Sequence, residues 1–416
     1  MGELEPKCPA DETRRSDYAI LVLGLLFLLL LLSWPGAFDV QCYRGTIRQA
    51  SLTLKGQAAY NDLASDIVGY RAMVAKSDPY PILGPAMRSL GINWNVRRPS
   101  THPPTAYLLV APVAHLPWGL ASGIWAWLML GLLYLSFRAM GLRRFVALGV
   151  TPLAVFWPPI ATSLGQMTMI WLFGITAAYT LARERPFWSG VGIGLAAMTK
   201  LFPGLLIILF LRNRLWRAIL GFSAVGAVSL LILVWIAPDC LSRYAEVNRL
   251  TSVETILRQD NSSLPGTAYR VGGWPGVIGV LLFLSLVVSA NRDCLLSWRE
   301  SAPPLKLWML GMYLTVALLP IAWIYSVAPL LPVILFLIRQ EGRAPQVAGL
   351  VALVTPFFAT PWGLYSVPPL VTVHIAVGVG LMLIGRSMRF PLEGSFNGLF
   401  RVPEPSQIPL HRNGNK

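Results

Sequence analysis

The chain has 416 residues, of which 55% are hydrophobic and only 13% are charged. Soluble domains carry about 25% charged residues, so this composition excludes an ordinary soluble enzyme and indicates a membrane protein. Its 34 Lys and Arg outnumber its 19 Asp and Glu, but they lie in short clusters between apolar stretches, which argues against a nucleic-acid-binding protein.

The apolar stretches predict an all-α fold, a polytopic bundle of about 11–12 membrane segments. We expect one transmembrane domain, 18–389, between two cytoplasmic tails, 1–17 and 390–416, the second Pro-rich and disordered. The expected segments are 18–35, 105–137, 145–160, 166–182, 187–211, 217–237, 274–290, 304–320, 326–338, 344–360 and 368–385.

Basic residues indicate the orientation of these segments. Arg14 and Arg15 precede the first apolar stretch, a pattern typical of a signal peptide or a signal anchor. We favour an anchor, because many segments follow and no A-x-A-like site precedes Phe38. With the N-terminus inside, the short loops with several basic residues fall on the cytoplasmic side. The long polar segments 37–104 and 238–272 then lie outside.

Segment 187–211 is too short for two full crossings, yet it begins and ends beside cytoplasmic-type basic residues. It is therefore either two short helices or a re-entrant hairpin that turns near Lys200 and Pro203. An ionisable side chain within an apolar stretch is expensive to bury, which predicts a functional, substrate-binding role for Lys200. The alternative is a lysine that extends its amine to the membrane interface from the turn.

The first outer segment, 37–104, is the predicted catalytic loop. Asp62, Asp66 and Tyr70 follow one another at intervals of four residues, so on a helix they share one face. Apolar residues on the same helix would let it lie along the membrane surface as an interfacial helix. The carboxylates then either face water or act in catalysis, and their spacing does not choose between Asp62 and Asp66.

Cations on the same loop favour a catalytic role. The candidates to hold a phosphate are Arg71, Lys76, Arg88, Arg97 and Arg98. A carboxylate can act as general base on a sugar hydroxyl, and cations stabilise charge on a departing phosphate. His102 either contacts that phosphate or simply precedes Pro103 and Pro104, which would fix an extended approach to the membrane.

Other polar and aromatic residues are candidates to bind a substrate. Gln166 begins a membrane segment from an outer turn and either joins helices or binds a sugar hydroxyl. The second outer segment, 238–272, is the predicted substrate-binding loop, and Arg258 and Asn261 are its candidates. Trp323 and Tyr325 are either membrane-interface anchors or an aromatic wall for a sugar or a prenyl chain.

Several familiar motifs are missing from the sequence. It has no D-x-D, Walker A, H-E-x-x-H or G-x-S-x-G pattern. We therefore expect no metal, no cofactor and no soluble nucleotide-sugar donor. The cysteines show no C-x-x-C spacing; Cys42 and Cys240 share the predicted outer side, where they either stay unpaired or form a disulfide.

Short motifs follow one another in order through roughly residues 60–330. They are Asp66-x-x-x-Tyr70-Arg71, Asp78-Pro79-Tyr80, His102-Pro103-Pro104, Gly165-Gln166, Gly194-Leu195-Ala196 with Lys200 and Pro203, Arg212-x-Arg214-Leu215-Trp216-Arg217, and Asn261-x-Ser263-Leu264. As an ordered series they resemble glycosyltransferase family 87. This family of multi-pass GT-C enzymes includes polyprenol-phosphate-mannose-dependent α-1,2-mannosyltransferases.

The resemblance implies an inverting hexosyltransferase in which Asp66 is the catalytic base and a polyprenyl phosphate leaves. It implies a polyprenyl-phosphate sugar donor, first of all mannose, a glycolipid or glycan acceptor, and a site on the outer face of the cytoplasmic membrane. Trp323-x-Tyr325 departs from the Trp-x-His expected in the mannosyltransferase branch, which leaves the donor sugar open among hexoses and pentoses.

Two other functions remain as alternatives. In a transporter or lipid flippase, Lys200 would be a coupling site. Transporters tend to carry paired broken helices, whereas segment 187–211 has no clear mate in the sequence, which favours the enzyme. In a non-catalytic subunit of a polysaccharide assembly complex, Asp66 would be dispensable.

Overall fold

The computed structural model describes residues 40–58, 62–93, 99–258, 261–297, 303–340, 342–358 and 367–386. Within these ranges the chain forms helices and no β-strand, which confirms the predicted all-α fold. The expected first membrane segment 18–35, the tail from 390 onward, and Arg97 and Arg98 lie outside the described residues.

The first outer segment holds three α-helices, which are α1 (Val40–Leu54), α2 (Asp62–Val74) and α3 (Leu83–Met87). Helix α2 confirms the expected helix over Asp62, Asp66 and Tyr70. It does not turn its carboxylate face to water, because α2 packs against α3 and against the short helix α4 (Pro104–Leu109). Eight of its residues are buried, Asp66 among them.

The predicted segment 105–137 is divided in the structure. Helix α4 ends at Leu109, and α5 (Trp118–Ala139) begins only after a turn. Pro112 and Pro117 explain the break, since proline has no N–H to donate within a helix and restricts the residue before it. The turn itself contacts α2, because Arg71 donates to the carbonyl oxygens of Ala114 and Leu116.

Three helices are long and apolar enough to cross a membrane: α5, α11 (Trp216–Ile236) and α13 (Leu264–Ala290). Helices α11 and α13 leave large apolar side chains such as Leu231 and Trp235 exposed, which fits a face covered by lipid. The length and composition of these helices and the exposure of their apolar side chains all indicate a membrane protein.

Shorter helices complete the first half of the bundle. They are α6 (Arg144–Ala154), α7 (Pro158–Ser163), α8 (Thr168–Leu181), α9 (Pro186–Thr199) and α10 (Ile207–Arg212). Helix α9 packs tightly between α8 and α11, because a Cβ at Gly190 would lie 1.8 Å from the Ala218 carbonyl oxygen.

Segment 187–211 forms two helical pieces, α9 and then a 3₁₀ turn (Phe202–Leu206) that runs into α10. Lys200 caps α9 in an extended conformation, with φ −152° and ψ 140°. The break therefore falls at Lys200, where the sequence placed the turn.

The second half contains α12 (Cys240–Leu257), α13, α14 (Arg292–Ser297), α15 (Leu305–Ala317), α16 (Leu331–Ile338), α17 (Arg343–Val354) and α18 (Val367–Arg386). Helix α13 is kinked at Gly273, whose φ of 58° suits glycine, next to Pro275. The kink coincides with the predicted start of a membrane segment near 274. A 3₁₀ turn (Ile324–Leu330) precedes α16 and carries Tyr325.

The described thiol of the second outer segment is unpaired. Cys240 is a free, buried cysteine whose Sγ lies 4.0 Å from Met73 Sδ. The side chain of Cys42 lies outside the described residues. In the structure Cys240 is therefore unpaired, and its side chain packs α12 against α2.

Candidate active site

Helix α2 contacts neighbouring segments on both sides of Asp66. The backbone N–H of Leu63 donates to the Gly165 carbonyl oxygen at 3.1 Å. Farther along, Gly69 lies against the Tyr107 ring so closely that a Cβ would come within 2.6 Å of Tyr107 Cζ. Because α2 approaches α4 this closely, Asp66 is brought to the loop that precedes α4.

Asp66 and His102 form a buried pair. Nδ1 of His102 lies 2.7 Å from Oδ1 of Asp66, whose side chain is only 1% exposed, whereas the imidazole is 20% exposed. Asp66 Oδ2 is buried and has no hydrogen-bond partner among the described residues. Buried carboxylate oxygens normally have a partner, so Oδ2 is an open acceptor position.

Burial raises the pKa of Asp66, although the charge and hydrogen bond of His102 act in the opposite direction. For His102, burial lowers the pKa, but the charge and hydrogen bond of Asp66 together with the charge of Asp62 outweigh it, and the pKa is raised overall. The pKa of each partner is therefore higher than its ordinary value. Asp66 is accordingly a stronger base than an exposed aspartate.

The His102 loop is itself fixed. The Tyr80 hydroxyl donates to the His102 carbonyl oxygen at 3.0 Å, and the His102 N–H donates to Ser100 Oγ at 3.2 Å. Pro103 is extended, with φ −63° and ψ 149°, and Pro104 begins α4. Pro103 is thus extended, as predicted for the segment before α4. The His102 imidazole faces Asp66.

Asp62 belongs to a second cluster one helical turn away. Its Oδ2 accepts a hydrogen bond from the Tyr325 hydroxyl at 3.1 Å. Lys200 Nζ lies 5.2 Å from the centre of the Tyr325 ring and donates to Ser326 Oγ at 3.3 Å. The outer loop, the α9 break and the turn before α16 therefore meet at one place.

Trp323 extends this cluster towards the second outer segment. Its ring stacks beside that of Tyr325, with centroids 6.2 Å apart and planes 20° apart. The Arg258 guanidinium lies 6.0 Å from the centre of the Trp323 ring. A cation and two aromatic rings thus lie next to one another at this cluster.

Asn261 holds the turn that presents Trp323. It is fully buried, its Nδ2 donates to the carbonyl oxygens of Pro320 and Ile256, each at 3.0 Å, and its Oδ1 accepts from the N–H groups of Ala322 and Ser263, each at 3.0 Å. These bonds use the amide for positioning, whereas the sequence suggested contact with a sugar.

Arg270 is a structural residue that the sequence analysis missed. Its guanidinium donates to the carbonyl oxygens of Ile256, Arg258 and Asn261 and to Thr267 Oγ1. It thereby closes the second outer segment onto α13. An arginine shortly after Asn261-Ser262-Ser263-Leu264, just before the apolar stretch that begins near 274, is the signal that could have identified it.

Gln166, Tyr70 and Arg71, the remaining described candidates, make contacts within the fold. Gln166 is nearly buried beside Gly165, and its carbonyl oxygen accepts from Trp125 Nε1 at 3.1 Å. Tyr70 packs its ring against His115, with centroids 5.8 Å apart. Arg71 donates to the carbonyl oxygens of Ala114 and Leu116 at 2.6 and 3.1 Å, so it fastens α2 to the turn before α5.

The cluster contains groups for proton transfer and for anion binding. Asp66 is a carboxylate of raised basicity. Lys200 and Arg258 are cations that lie over the Tyr325 and Trp323 rings, respectively. Within the described part of the chain, no group of three His, Cys, Asp or Glu side chains could hold a metal ion. The described side chains thus offer a base and cations for transfer between a hydroxyl and an anionic leaving group.

Comparison with known proteins gives a family match. The sequence pattern of Glycosyltransferase family 87 matches residues 101–320. The match includes His102, Lys200 and Asn261, whereas Asp66 and Tyr325 lie outside it and join the site through the contacts described above. No solved structure matches the chain.

Curated relatives come from mycobacteria. Over 293 residues the chain is 27% identical to the polyprenol-phosphate-mannose-dependent alpha-(1-2)-phosphatidylinositol pentamannoside mannosyltransferase of Mycolicibacterium smegmatis, covering 65% of this chain and 69% of the relative. The protein of that name from Mycobacterium tuberculosis is 27% identical, covering 65% and 66%. A phosphatidylinositol mannoside mannosyltransferase of M. smegmatis is 26% identical, covering 57% and 61%.

Proposed function

The chain belongs to glycosyltransferase family 87 and is a membrane glycosyltransferase, and we propose that it transfers a sugar from a polyprenyl-phosphate donor to a glycolipid or glycan acceptor. The observation that carries the proposal is the buried Asp66, whose Oδ2 has no hydrogen-bond partner among the described residues. The names of the mycobacterial relatives support mannose as the first sugar to test.

In the proposed reaction Asp66 is the general base. The acceptor hydroxyl gives its proton to the carboxylate while its oxygen forms a bond to the anomeric carbon of the donor sugar. The bond from that carbon to the phosphate oxygen breaks, and the polyprenyl phosphate leaves with the electron pair. Attack opposite the leaving group inverts the anomeric carbon.

Lys200 and Arg258 are the proposed partners of the donor phosphate. Fixed cations stabilise the charge that grows on a departing phosphate. Both lie beside the Trp323 and Tyr325 rings, which offer stacking faces for a sugar. Asp62, which accepts a hydrogen bond from Tyr325, and Gln166 are proposed to bind sugar hydroxyls.

We place this site on the outer face of the cytoplasmic membrane and treat 18–389 as one transmembrane domain. The support is the charge pattern, since the short basic loops fall on the side opposite the segments that meet at Asp62 and Tyr325. In this arrangement the prenyl chain of the donor stays in the bilayer and its phosphate reaches the membrane surface.

The direct test is Asp66→Asn in membranes supplied with radiolabelled polyprenyl-phosphate mannose. We expect transfer to fall by about 100-fold or more, the contribution typical of a general base. Asp62→Asn is the matched control on the same helix face, with a smaller loss expected. Near-normal transfer by the Asp66 variant, at equal protein level, would rule out this role.

A further inference from the structure

We infer that His102 is a positioning residue that acts through Asp66, holding one carboxylate oxygen so that the other remains open to the acceptor hydroxyl. This inference rests on the proposed function, since it assigns how the proposed base is prepared. It gives His102 a role other than the phosphate contact that its sequence neighbours suggested.

The two oxygens of Asp66 have different surroundings. Oδ1 lies 2.7 Å from His102 Nδ1, while Oδ2 is buried without a partner in the described part of the chain. A buried carboxylate oxygen needs a hydrogen-bond donor, and a sugar hydroxyl supplies one. The pairing at Oδ1 thus fixes the plane of the carboxylate and selects Oδ2 as the atom that receives the proton.

His102 is suited to this task because its own backbone is held on both sides. Its N–H donates to Ser100 and its carbonyl oxygen accepts from Tyr80. Pro103 and Pro104 restrict the following backbone. The imidazole therefore keeps its place when Asp66 gains or loses a proton.

Three charged or titratable groups also face the pair. Asp62 lies on α2, Lys200 at the α9 break and Tyr107 on α4. Burial and Asp62 raise the pKa of Asp66, and His102 lowers it. Replacing His102 by an uncharged residue therefore raises the pKa of Asp66 further, and the base stays protonated to a higher pH.

Two substitutions separate the hydrogen bond from the charge. His102→Asn places an amide N–H near the former Nδ1 position without a positive charge, whereas His102→Ala removes both. We expect His102→Ala to lower kcat by about 100-fold, the scale of an ångström-sized misplacement, with the donor KM little changed. His102→Asn should recover much of kcat, and both variants should shift the acidic limb of the pH profile to higher pH.

The exposed His115 supplies the control: His115→Asn should leave kcat and the pH profile unchanged. Three results would overturn the inference. They are wild-type kcat in His102→Ala, a loss in His102→Asn as complete as in Asp66→Asn, and an acidic limb that stays in place. The second would make the imidazole itself the base.

An infrared titration tests the pair without the reaction. The band of the protonated Asp66 carboxyl is identified as the one missing in Asp66→Asn, and its midpoint is followed with pH. We expect the midpoint to move to higher pH in His102→Asn, and an unmoved midpoint would overturn the inference. If the midpoint moves as expected but the protein transfers no sugar, the proposed function is rejected while the Asp66–His102 interaction stands.

Discussion

Lys200 is a partly buried amine with three polar or aromatic neighbours. It donates to Ser326 Oγ and lies over the Tyr325 ring, whose hydroxyl in turn reaches Asp62. A lysine that merely extended towards water would not need a hydroxyl, an aromatic face and a nearby carboxylate. In the transporter alternative Lys200 would serve a separate coupling site, whereas here it belongs to the same cluster as the outer loop.

We expect Lys200→Met to weaken the use of the donor more than the use of the acceptor. A hydrogen bond to a charged group is worth about 1.5–3 kcal/mol, so the donor kcat/KM should fall by roughly 10- to 100-fold. Lys200→Arg keeps the charge and should lose less. Steady-state kinetics with varied donor would measure this, with the exposed Lys55→Met as control, and an unchanged donor kcat/KM would remove Lys200 from the phosphate site.

Helix α2 shows what periodicity can and cannot predict. The spacing of Asp62, Asp66 and Tyr70 correctly predicted a helix with these residues along it. It did not predict that α2 would bury Asp66. Apolar residues surround the carboxylates on this short helix, so the sequence does not indicate which face is exposed to solvent. Which side meets the core was decided by tertiary contacts such as Gly69 against Tyr107.

Long-range pairings were equally out of reach of the sequence. His102 is 36 residues from Asp66, and Tyr325 is 263 residues from Asp62. Charge topology placed the outer segments on one side and so predicted that they could share a site. It could not show that Asn261 and Arg270 hold backbone groups, because hydrogen-bond direction depends on the folded turn.

The turn that carries Trp323 should depend on the Asn261 amide. In Asn261→Ala the Ala322 N–H loses its bond to that side chain, and a buried group left unsatisfied costs about 1–3 kcal/mol. The Pro320 carbonyl oxygen loses one bond but still accepts from Ser263 Oγ. We expect a lower Tm in detergent together with reduced transfer. Ser262→Ala should cost less, since the Ser262 N–H still donates to Ala322, and the exposed Ser242→Ala should cost nothing measurable. Equal melting temperatures for Asn261→Ala and Ser242→Ala would contradict this assignment.

On the scale of the whole molecule, the described residues form a bundle with an apolar surface and a polar cluster where distant segments meet. Helices α11 and α13 expose apolar side chains along their length, while Arg243 of α12 pairs with Asp78 of the first outer segment at 2.9 Å. This exposed ion pair adds little stability, yet it joins the two long polar segments to each other. A lipid-linked donor could therefore stay in the bilayer while its sugar lies beneath both segments.

The proposed orientation makes a prediction that does not depend on activity. On a background with Cys8, Cys42, Cys240 and Cys294 replaced by serine, a new cysteine at exposed Lys55 should react with a membrane-impermeant maleimide in intact cells. A cysteine at exposed Arg144 should react only after permeabilisation, because short loops with several basic residues stay on the cytoplasmic side. Both variants should first be shown to retain transfer activity. The reverse labelling pattern would place the Asp66 site inside the cell, where a lipid-linked donor would have to present its sugar on the cytoplasmic leaflet.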